Sequence, residues 1–571
     1  MFDRLTLVLL ALLALGVIAA HLLIENNDQN AVMLTIAAGL LAAPLILLWL
    51  LLSGPFSWRG RVAVLAVLLA GVWLTPRVLV FRGWTGNLLP LIEWRSSGPG
   101  DVVRADGSIV LDDDLRWPGF LGPARRGVSP GPALDPDWDA SPPQLLWRRP
   151  VGSGWAGFAI AGNAAITLEQ HAAEGSNDLA RAEQRVVHYA LDSGEIVWSH
   201  TLTGGFTEAL GGPGPRTTPA IADGRVYAAD AVGRVVALDL ASGDLVWQVD
   251  LFATYDAPVP QYAYASSPLL IDDPEQPGER LVVLAAGGPN GHLLVAHDAD
   301  DGSPRWHGGD GRLGYASPIL LTLAGVPQIV SFNAASVTGH DPASGRVLWT
   351  HPWTSGTPIA STPLALRGHG LGNDTVLVSS GYGHGTSRLR LRRSPDGAME
   401  VETLWHSRRM KAKFTNLVQY EGSVYGLDDG VFVCLDPETG ERRWKRGRYG
   451  HGQTVRRGGH LLVQTEDGDV VLLDADPEAH RERGTLAALT SKTWNPLILV
   501  GDVLVVRNDR EAAAYRLAVH DDSAAPGDAP ANEAPADDAA TDGLTLTPPA
   551  AETARRQPPA DGDGDRPDAI G

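Results

Sequence analysis

The chain has a single cysteine, Cys434, among 571 residues. No intramolecular disulfide can form, so packing alone must hold the fold. That leaves the redox compartment open, since large secreted domains can do without disulfides. Basic residues are also short: 46 Lys and Arg stand against 66 Asp and Glu, a net charge of −20. Nucleic acid is therefore an unsuitable partner. Much of that charge is local, because twelve acids and three bases lie from His520 onward. Catalytic patterns are missing too. The 16 histidines are scattered without zinc spacing, and no Ser/His/Asp or Cys/His arrangement emerges. Residues 152–157 spell Gly-x-Gly-x-x-Gly, but without the strand–helix context of a nucleotide site. Asp298-Ala-Asp-Asp-Gly302 and residues 561–565 look like parts of calcium loops, yet neither has the Glu needed at the twelfth position.

What is present in quantity is a repeat. Residues 435–444 read Leu-Asp-Pro-Glu-Thr-Gly-Glu-Arg-Arg-Trp: an Asp, a Gly four residues on, and Trp444 four residues after that. The pattern recurs as Asp239/Gly243/Trp247, Asp298/Gly302/Trp306 and Asp341/Gly345/Trp349, and as Gly194/Trp198 with Ala190 in the Asp position. It reads as a hairpin. Asp closes the turn onto its own backbone, Gly supplies a positive φ, and the next strand carries a large ring inward. Trp147 and Trp405 hold the same place without the full turn, and residues 470–489 have the strands but no Trp. Eight units result, with intervals between tryptophans of 39 to 59 residues, the length of a propeller blade. A second element precedes them: Thr218-Pro219, Ser267-Pro268, Ser317-Pro318, Thr362-Pro363 and Asn495-Pro496. Proline there fits the start of a strand.

This series resembles the tryptophan-docking repeat of the PQQ-like, quinoprotein-type β-propellers, over about residues 117–517. Trp117-Pro-Gly-Phe-Leu-Gly-Pro-Ala-Arg-Arg-Gly-Val-Ser resembles the opening of the family's many bacterial members. The resemblance implies an all-β, eight-bladed propeller. It implies that Trp198, Trp247, Trp306, Trp349 and Trp444 pack between blades, and that residues just before the Pro elements rim a central channel. It also implies that residues 145–149, or those just before, complete the blade ending at Leu517 and so remove an open edge. Chemistry is left open, because the family contains both dehydrogenases and non-catalytic scaffolds. Its dehydrogenases sandwich PQQ in the channel, hold Ca²⁺ on acid and amide side chains, and use an Asp base. Many soluble members add two adjacent cysteines over the cofactor, which Cys434 alone cannot supply. No Asp base or calcium ligand falls on a matching motif, and about fifty residues per blade leave little for lid loops. The expectation is a binding or scaffold module of the cell envelope, without catalytic residue, metal or cofactor. It is similar to the lipoprotein propellers of the bacterial outer-membrane assembly machine, with membrane spans in place of the lipid. The alternative is a PQQ-dependent membrane-bound dehydrogenase of an alcohol or sugar, taking PQQ and Ca²⁺, since the family's membrane-bound glucose dehydrogenases also lack the cysteine pair.

Three apolar stretches precede the repeats. Residues 5–24 are apolar except for His21, residues 31–52 form the clearest span, and residues 62–81 are interrupted by Pro76 and Arg77. The first loop, Glu-Asn-Asn-Asp-Gln-Asn, has no positive charge, whereas Arg59 and Arg61 mark the second. Positive charge stays inside, so three spans place everything after Arg82 outside the cytoplasm; two would leave the propeller within it. The expected organisation is a three-helix membrane anchor over 1–82, a connector over 83–116, the propeller over 117–519 and a disordered acidic Ala/Pro-rich tail over 520–571. The expected location is the bacterial inner membrane with the propeller in the periplasm. The expected partners are the membrane itself and cell-envelope proteins or peptides.

One set of residues falls on the expected channel rim: Trp155, Glu208, Arg216, Tyr264, Tyr315, Lys413 and Trp494. Aromatic rings beside cations in equivalent places of different blades would form a funnel for a planar or anionic ligand. The plainer reading is that they pack and hydrogen-bond the inner strands.

Overall fold

The computed structural model describes residues 9–18, 28–52, 57–94, 102–104, 115–172 and 182–520. Of the tail expected to be disordered, all but His520 lies outside these residues. The second blade shows why the sequence folds as it does. Strands Ala220–Ala222, Arg225–Ala229, Arg234–Asp239 and Leu245–Asp250 pair antiparallel in chain order. Asp223 and Gly224 link the first two with φ of 49° and 72°. Two successive positive φ values match the right-handed twist of the flanking strands. The inner strands are buried on both faces and read as Val, Leu, Ile and Ala runs.

Seven further sheets repeat the plan. The first blade runs from Arg116–Trp117 to Ile196–Thr203, the third from Leu269–Asp272 to Pro304–Gly308, and the fourth from Ile319–Leu323 to Val347–Pro352. The fifth runs from Leu364–Ala365 to Met399–Ser407, the sixth from Val418–Tyr420 to Arg442–Arg448, and the seventh from Gln453–Arg457 to Glu482–Leu486. The eighth combines Ile498–Val500, Val503–Arg507 and Glu511–Arg516 with Gln144–Pro150 and Val103–Arg104 from the N-terminal side. Eight blades and the expected closure are thus present, with Ala514 paired to Trp147 and Tyr515 to Leu145. Arg148 seals the junction through Glu511 at 3.0 Å and the Tyr515 hydroxyl at 2.7 Å.

The Asp-x-x-x-Gly turn forms as read. Asp239 Oδ1 accepts the backbone N–H of Ala241 and Ser242, and Asp436 Oδ1 that of Glu438 and Thr439. The tryptophan of one blade then docks on the turn of the next. Trp198 Nε1 donates to the Leu240 carbonyl at 3.0 Å, Trp247 to Ala299 at 2.9 Å, and Trp405 to Pro437 at 3.1 Å. Each ring lies flat on the turn glycine. A Cβ at Gly243 would sit 2.6 Å from Trp198 Cδ2, so glycine is required both for its φ of 75° and for the contact. Trp349 differs. The fifth blade lacks the turn, and Trp349 Nε1 donates to Gln328 of its own blade while the ring packs in the core shared with Val376 and Leu389.

The seventh blade has Gly484 where the others have Trp, paired opposite Leu472. Trp138 fills that place from outside the repeat: a Cβ at Gly484 would lie 2.7 Å from Trp138 Cβ and 2.9 Å from its Cε3. The N-terminal strap thereby supplies the ring that the blade lacks.

Before the propeller come helices Leu9–Ile18, Asp28–Leu52 and Trp58–Val78. Among the described residues, Trp58–Val78 is long and apolar enough to cross a membrane. Sequence made this the weakest of the three stretches. Pro76 lies in the final turn, and Arg77 folds back over the Trp73 ring at 3.6 Å and donates to the Trp73 carbonyl at 2.6 Å. The helix ends at Val78, short of Phe81, because Leu79 begins a strand. The connector expected from residue 83 is also more than a linker. Leu79–Trp84 and Pro90–Trp94 form a two-stranded hairpin, and Val103–Arg104 and Arg116–Trp117 join blades eight and one.

Replacing either Trp349 or Trp138 with alanine empties a large buried site. Each change is expected to lower stability by roughly 3–5 kcal/mol, read as a fall in Tm by calorimetry. An unchanged Tm for Trp138→Ala would show that the strap does not stand in for the missing repeat residue.

Candidate functional site

The connections between one blade's outermost strand and the next blade's innermost strand gather on one face. They enclose a cavity of about 290 Å³. Trp155, Arg216, Tyr262, Tyr315, Thr357, Lys413 and Trp494 all come from such connections, and those carrying Arg216, Tyr262, Tyr315, Thr357 and Trp494 end at the Pro elements read from sequence. Tyr382 enters from a loop within the fifth blade.

Aromatic rings form most of the wall. Trp155 and Trp494 lie 4.9 Å apart between centroids, and Phe414 lies tilted by 46° against Trp494 at 5.2 Å. Tyr262 and Tyr315 face each other at 5.8 Å. Cations sit among these rings. Lys492 Nζ lies 4.1 Å over Trp494, and Lys413 Nζ lies 4.6 Å over Tyr382. Burial pulls both lysines down to about 8, partly offset for Lys413 by Asp429 and Glu466, and for Lys492 by Asp509 and Glu466. Burial also lowers Arg216 to about 10, with Glu208 acting in the opposite direction. Arg216 donates to the Gly212 carbonyl at 3.1 Å, and its Nε has no hydrogen-bond partner among the described residues.

Five of the seven residues proposed from sequence therefore meet in one cavity: Trp155, Arg216, Tyr315, Lys413 and Trp494. Glu208 stands behind Arg216 at 4.0 Å, its carboxylate taken up by the N–H groups of Leu210 and Gly211. Tyr264 is a correction. Its ring is 1% exposed and packs edge-on against Phe252 in the blade core; two positions earlier, Tyr262 takes the wall position. Ala263 between them has a φ of 64°, which breaks the extended alternation that would turn both tyrosines the same way and which spacing alone does not show. Reasoning from sequence also missed Lys492, Phe414, Tyr262, Tyr382 and Glu466. Lys492 and Phe414 adjoin the recognised Trp494 and Lys413; Tyr382 and Glu466 lie in loops without a Pro marker.

The mouth of the cavity is occupied by the chain itself. The tip of the hairpin, Thr85 to Leu88, lines the cavity. Lys413 Nζ donates to the Gly86 carbonyl at 2.5 Å, and the Gly86 N–H donates to Glu466 at 2.5 Å. Asn87 Oδ1 meets His451 Nε2 at 3.0 Å, and Lys492 donates to the Trp84 carbonyl at 3.0 Å. Any Cβ at residue 86 would collide with the His451 ring. Burial with Lys413 nearby drives His451 down to about 3, so it is neutral at physiological pH.

A calcium-held quinone would need acid and amide ligands and a carboxylate base. Among the described residues, the cavity lining contains no Asp or Glu. Asn416 Oδ1 already accepts the Thr362 N–H, and Gln453 Nε2 donates to the carbonyls of Phe414 and Trp494, which leaves the lining without the acid ligands that such a cation needs. The wall does not fit that group. Glu279, Asp298 and Asp300 cluster elsewhere, where Asp298 is spent on its turn and on Arg305 at 2.8 Å.

Known proteins share this architecture. Quinohemoprotein alcohol dehydrogenase from Comamonas testosteroni superposes with a TM-score of 0.51 at 12% identity, covering 71% of this chain and 81% of that one. Quinohemoprotein alcohol dehydrogenase ADHIIG from Pseudomonas putida HK5 gives 0.50 at 11% identity, covering 73% and 82%. At such identities the likeness is one of fold. In sequence, the outer membrane protein assembly factor BamB of Shewanella oneidensis is 30% identical over 330 residues, 55% of this chain and 75% of that protein. The family model described as outer membrane protein assembly factor BamB matches residues 182–446 and 428–522. With its docked tryptophans and eight blades, the chain belongs to that family of PQQ-repeat propellers.

Proposed function

We propose that the chain is a membrane-anchored propeller of the bacterial envelope that works by binding, with the funnel as its ligand face. The observation that carries this reading is the cavity wall: buried cations among tilted aromatic rings, with no carboxylate base in the lining. Membership of the BamB family supports a scaffold role beside other envelope proteins. Catalysis would need a base, a Lewis acid and a dry cofactor pocket together.

Helix Trp58–Val78 has 21 residues, which is about 32 Å of rise and enough for the hydrocarbon core. None of its side chains is buried in the protein. Arg59 and Arg61 at its start favour the cytoplasm, so its C-terminal end and the propeller lie in the periplasm, with the inner membrane as the anchor. A reporter active only in the periplasm, fused after Gly100, is expected to be active; activity of a cytoplasm-only reporter there would overturn the topology.

Binding should follow the charge of the wall. A planar aromatic sulfonate dye is expected to bind the funnel at pH 7 and to lose affinity several-fold by pH 9. Lys413 and Lys492 both lose their protons near 8, while Arg216, at about 10, stays charged. Fluorescence titration checks this, with Arg216→Gln as the weakened control. A pH-independent affinity would show that the lysines do not contact the anion.

Reconstitution with PQQ and Ca²⁺ is expected to give no dye-linked oxidation of alcohols or aldoses. Sustained turnover abolished by a chelator would promote the dehydrogenase alternative. A photoreactive residue at Leu210, beside the funnel, is expected to crosslink envelope proteins in cells; adducts confined to cytosolic proteins would sink the reading.

A further inference from the structure

The hairpin that follows the anchor helix has two unlike faces. Its register pairs Leu79 with Trp94 and Phe81 with Ile92, which places these four side chains on one side, while Val80 pairs with Glu93 on the other. The polar side meets the propeller: Glu93 holds Arg510 at 2.6 Å and Arg82 at 3.7 Å. Together with the seated tip, these contacts bind an element that would be marginal alone. Among the described residues the apolar side is largely open, with Phe81 touching Trp84 of its own strand and Leu79 half-buried. Phe81, Ile92 and Trp94 are 54%, 56% and 61% exposed. Three large apolar side chains gathered on one small sheet are not an ordinary soluble surface.

We propose that this face lies in the lipid interface, and that the hairpin is a joint that turns the funnel face of the propeller toward the bilayer. The proposal rests on the anchor reading above. The occupant is lipid because the face continues without a break from the apolar helix: Val78 ends the helix and Leu79 begins the strand. Arg77 and Trp73 at that junction, with Phe81, Trp84 and Trp94 beyond it, have the composition that settles at the headgroup level. The joint is short. The six residues of Leu79–Trp84 reach at most about 20 Å, and Lys492 already holds the Trp84 carbonyl. The funnel mouth is therefore held close to the membrane surface. Its ligand would be something presented there, such as a juxtamembrane segment of a partner, rather than a solute of the open compartment.

The full chain tests this in vesicles of phosphatidylethanolamine and phosphatidylglycerol. Cys434 is buried and its thiol is pushed up to about 11, so a cysteine introduced at Ile92 can be labelled selectively with an environment-sensitive fluorophore. Co-flotation with vesicles reads the anchor. Blue-shifted emission at residue 92, quenched by nitroxide-bearing lipid, reads the hairpin, with exposed Glu275 as the labelled control that stays in water. Energy transfer to headgroup-labelled lipid should be stronger from Val259, in a funnel-side connection, than from Glu275, in a turn between the first two strands of blade three. Flotation with a water-exposed label at 92 would overturn the joint and leave the anchor standing. A label at 92 that is shielded but not quenched by lipid would mean a second copy covers the face, which also overturns it. Equal transfer from Val259 and Glu275 would overturn the orientation. Failure to float would remove both anchor and joint.

Discussion

The contact on which this molecule depends is an indole laid on a glycine. In the repeats that keep the motif an Asp folds its carboxylate onto two following N–H groups and fixes the turn. The turn glycine, at positive φ, presents a bare Cα, and the ring of the preceding blade closes over it. One hydrogen bond from Nε1 to the turn carbonyl sets the ring's direction. The contact joins adjacent blades rather than strands within a blade. It therefore determines the pitch of the ring wherever the turn is kept; Trp349 packs in the core shared with the fifth blade instead, and Trp138 fills the place left by Gly484 in the seventh.

Closure also explains why the N-terminal segments cannot be separated from the propeller. Trp147 completes the eighth blade and docks on the first blade's turn at Leu191, while Trp138 fills the gap at Gly484 in the seventh. Arg507 fastens the same seam from inside. It is 1% exposed and donates to Thr167, to the Leu168 carbonyl and to the Gly152 carbonyl, next to the buried Glu169. A buried arginine is tolerable only with such complete satisfaction. The ring is thus locked across three consecutive blades by residues from both sides of the chain's closure.

Most of the fold was legible because the docking contact needs three residue types at fixed spacing. Nothing else requires Asp, Gly and Trp at four-residue intervals, so Trp198, Trp247, Trp306 and Trp444 could be placed from sequence. Trp138 could not, since its partner is a glycine 346 residues away and no local pattern points to it. The candidate site was half legible for a similar reason. The Pro elements mark where each inner strand begins, and hence the rim, which found Arg216, Tyr315 and Trp494. They do not show that Ala263 takes a positive φ and turns its neighbours apart, so Tyr264 was taken for Tyr262. Loops without that marker, which carry Tyr382 and Glu466, left no signal. The hairpin was hidden because its strands straddle the expected end of the anchor. A short apolar alternation directly after a long apolar helix reads as more helix.

The occupied mouth raises a question of charge. The hairpin tip offers the funnel only neutral groups: carbonyls of Trp84 and Gly86, one N–H and one amide. These satisfy hydrogen bonds of Lys413, Lys492, Glu466 and His451 but neutralise nothing. Two lysines and Arg216 then share the wall region with Glu466, Glu208, Asp429 and Asp509, and His451 is neutral. Burial disfavours the charged form of both lysines, which is why each falls to about 8. A protein selected for stability alone would shed such a charge, because a neutral side chain would pack the same space without the desolvation cost. Its retention beside the aromatic rings favours a negatively charged or strongly polar group arriving from outside. The tip then serves as a neutral part of the wall of that site.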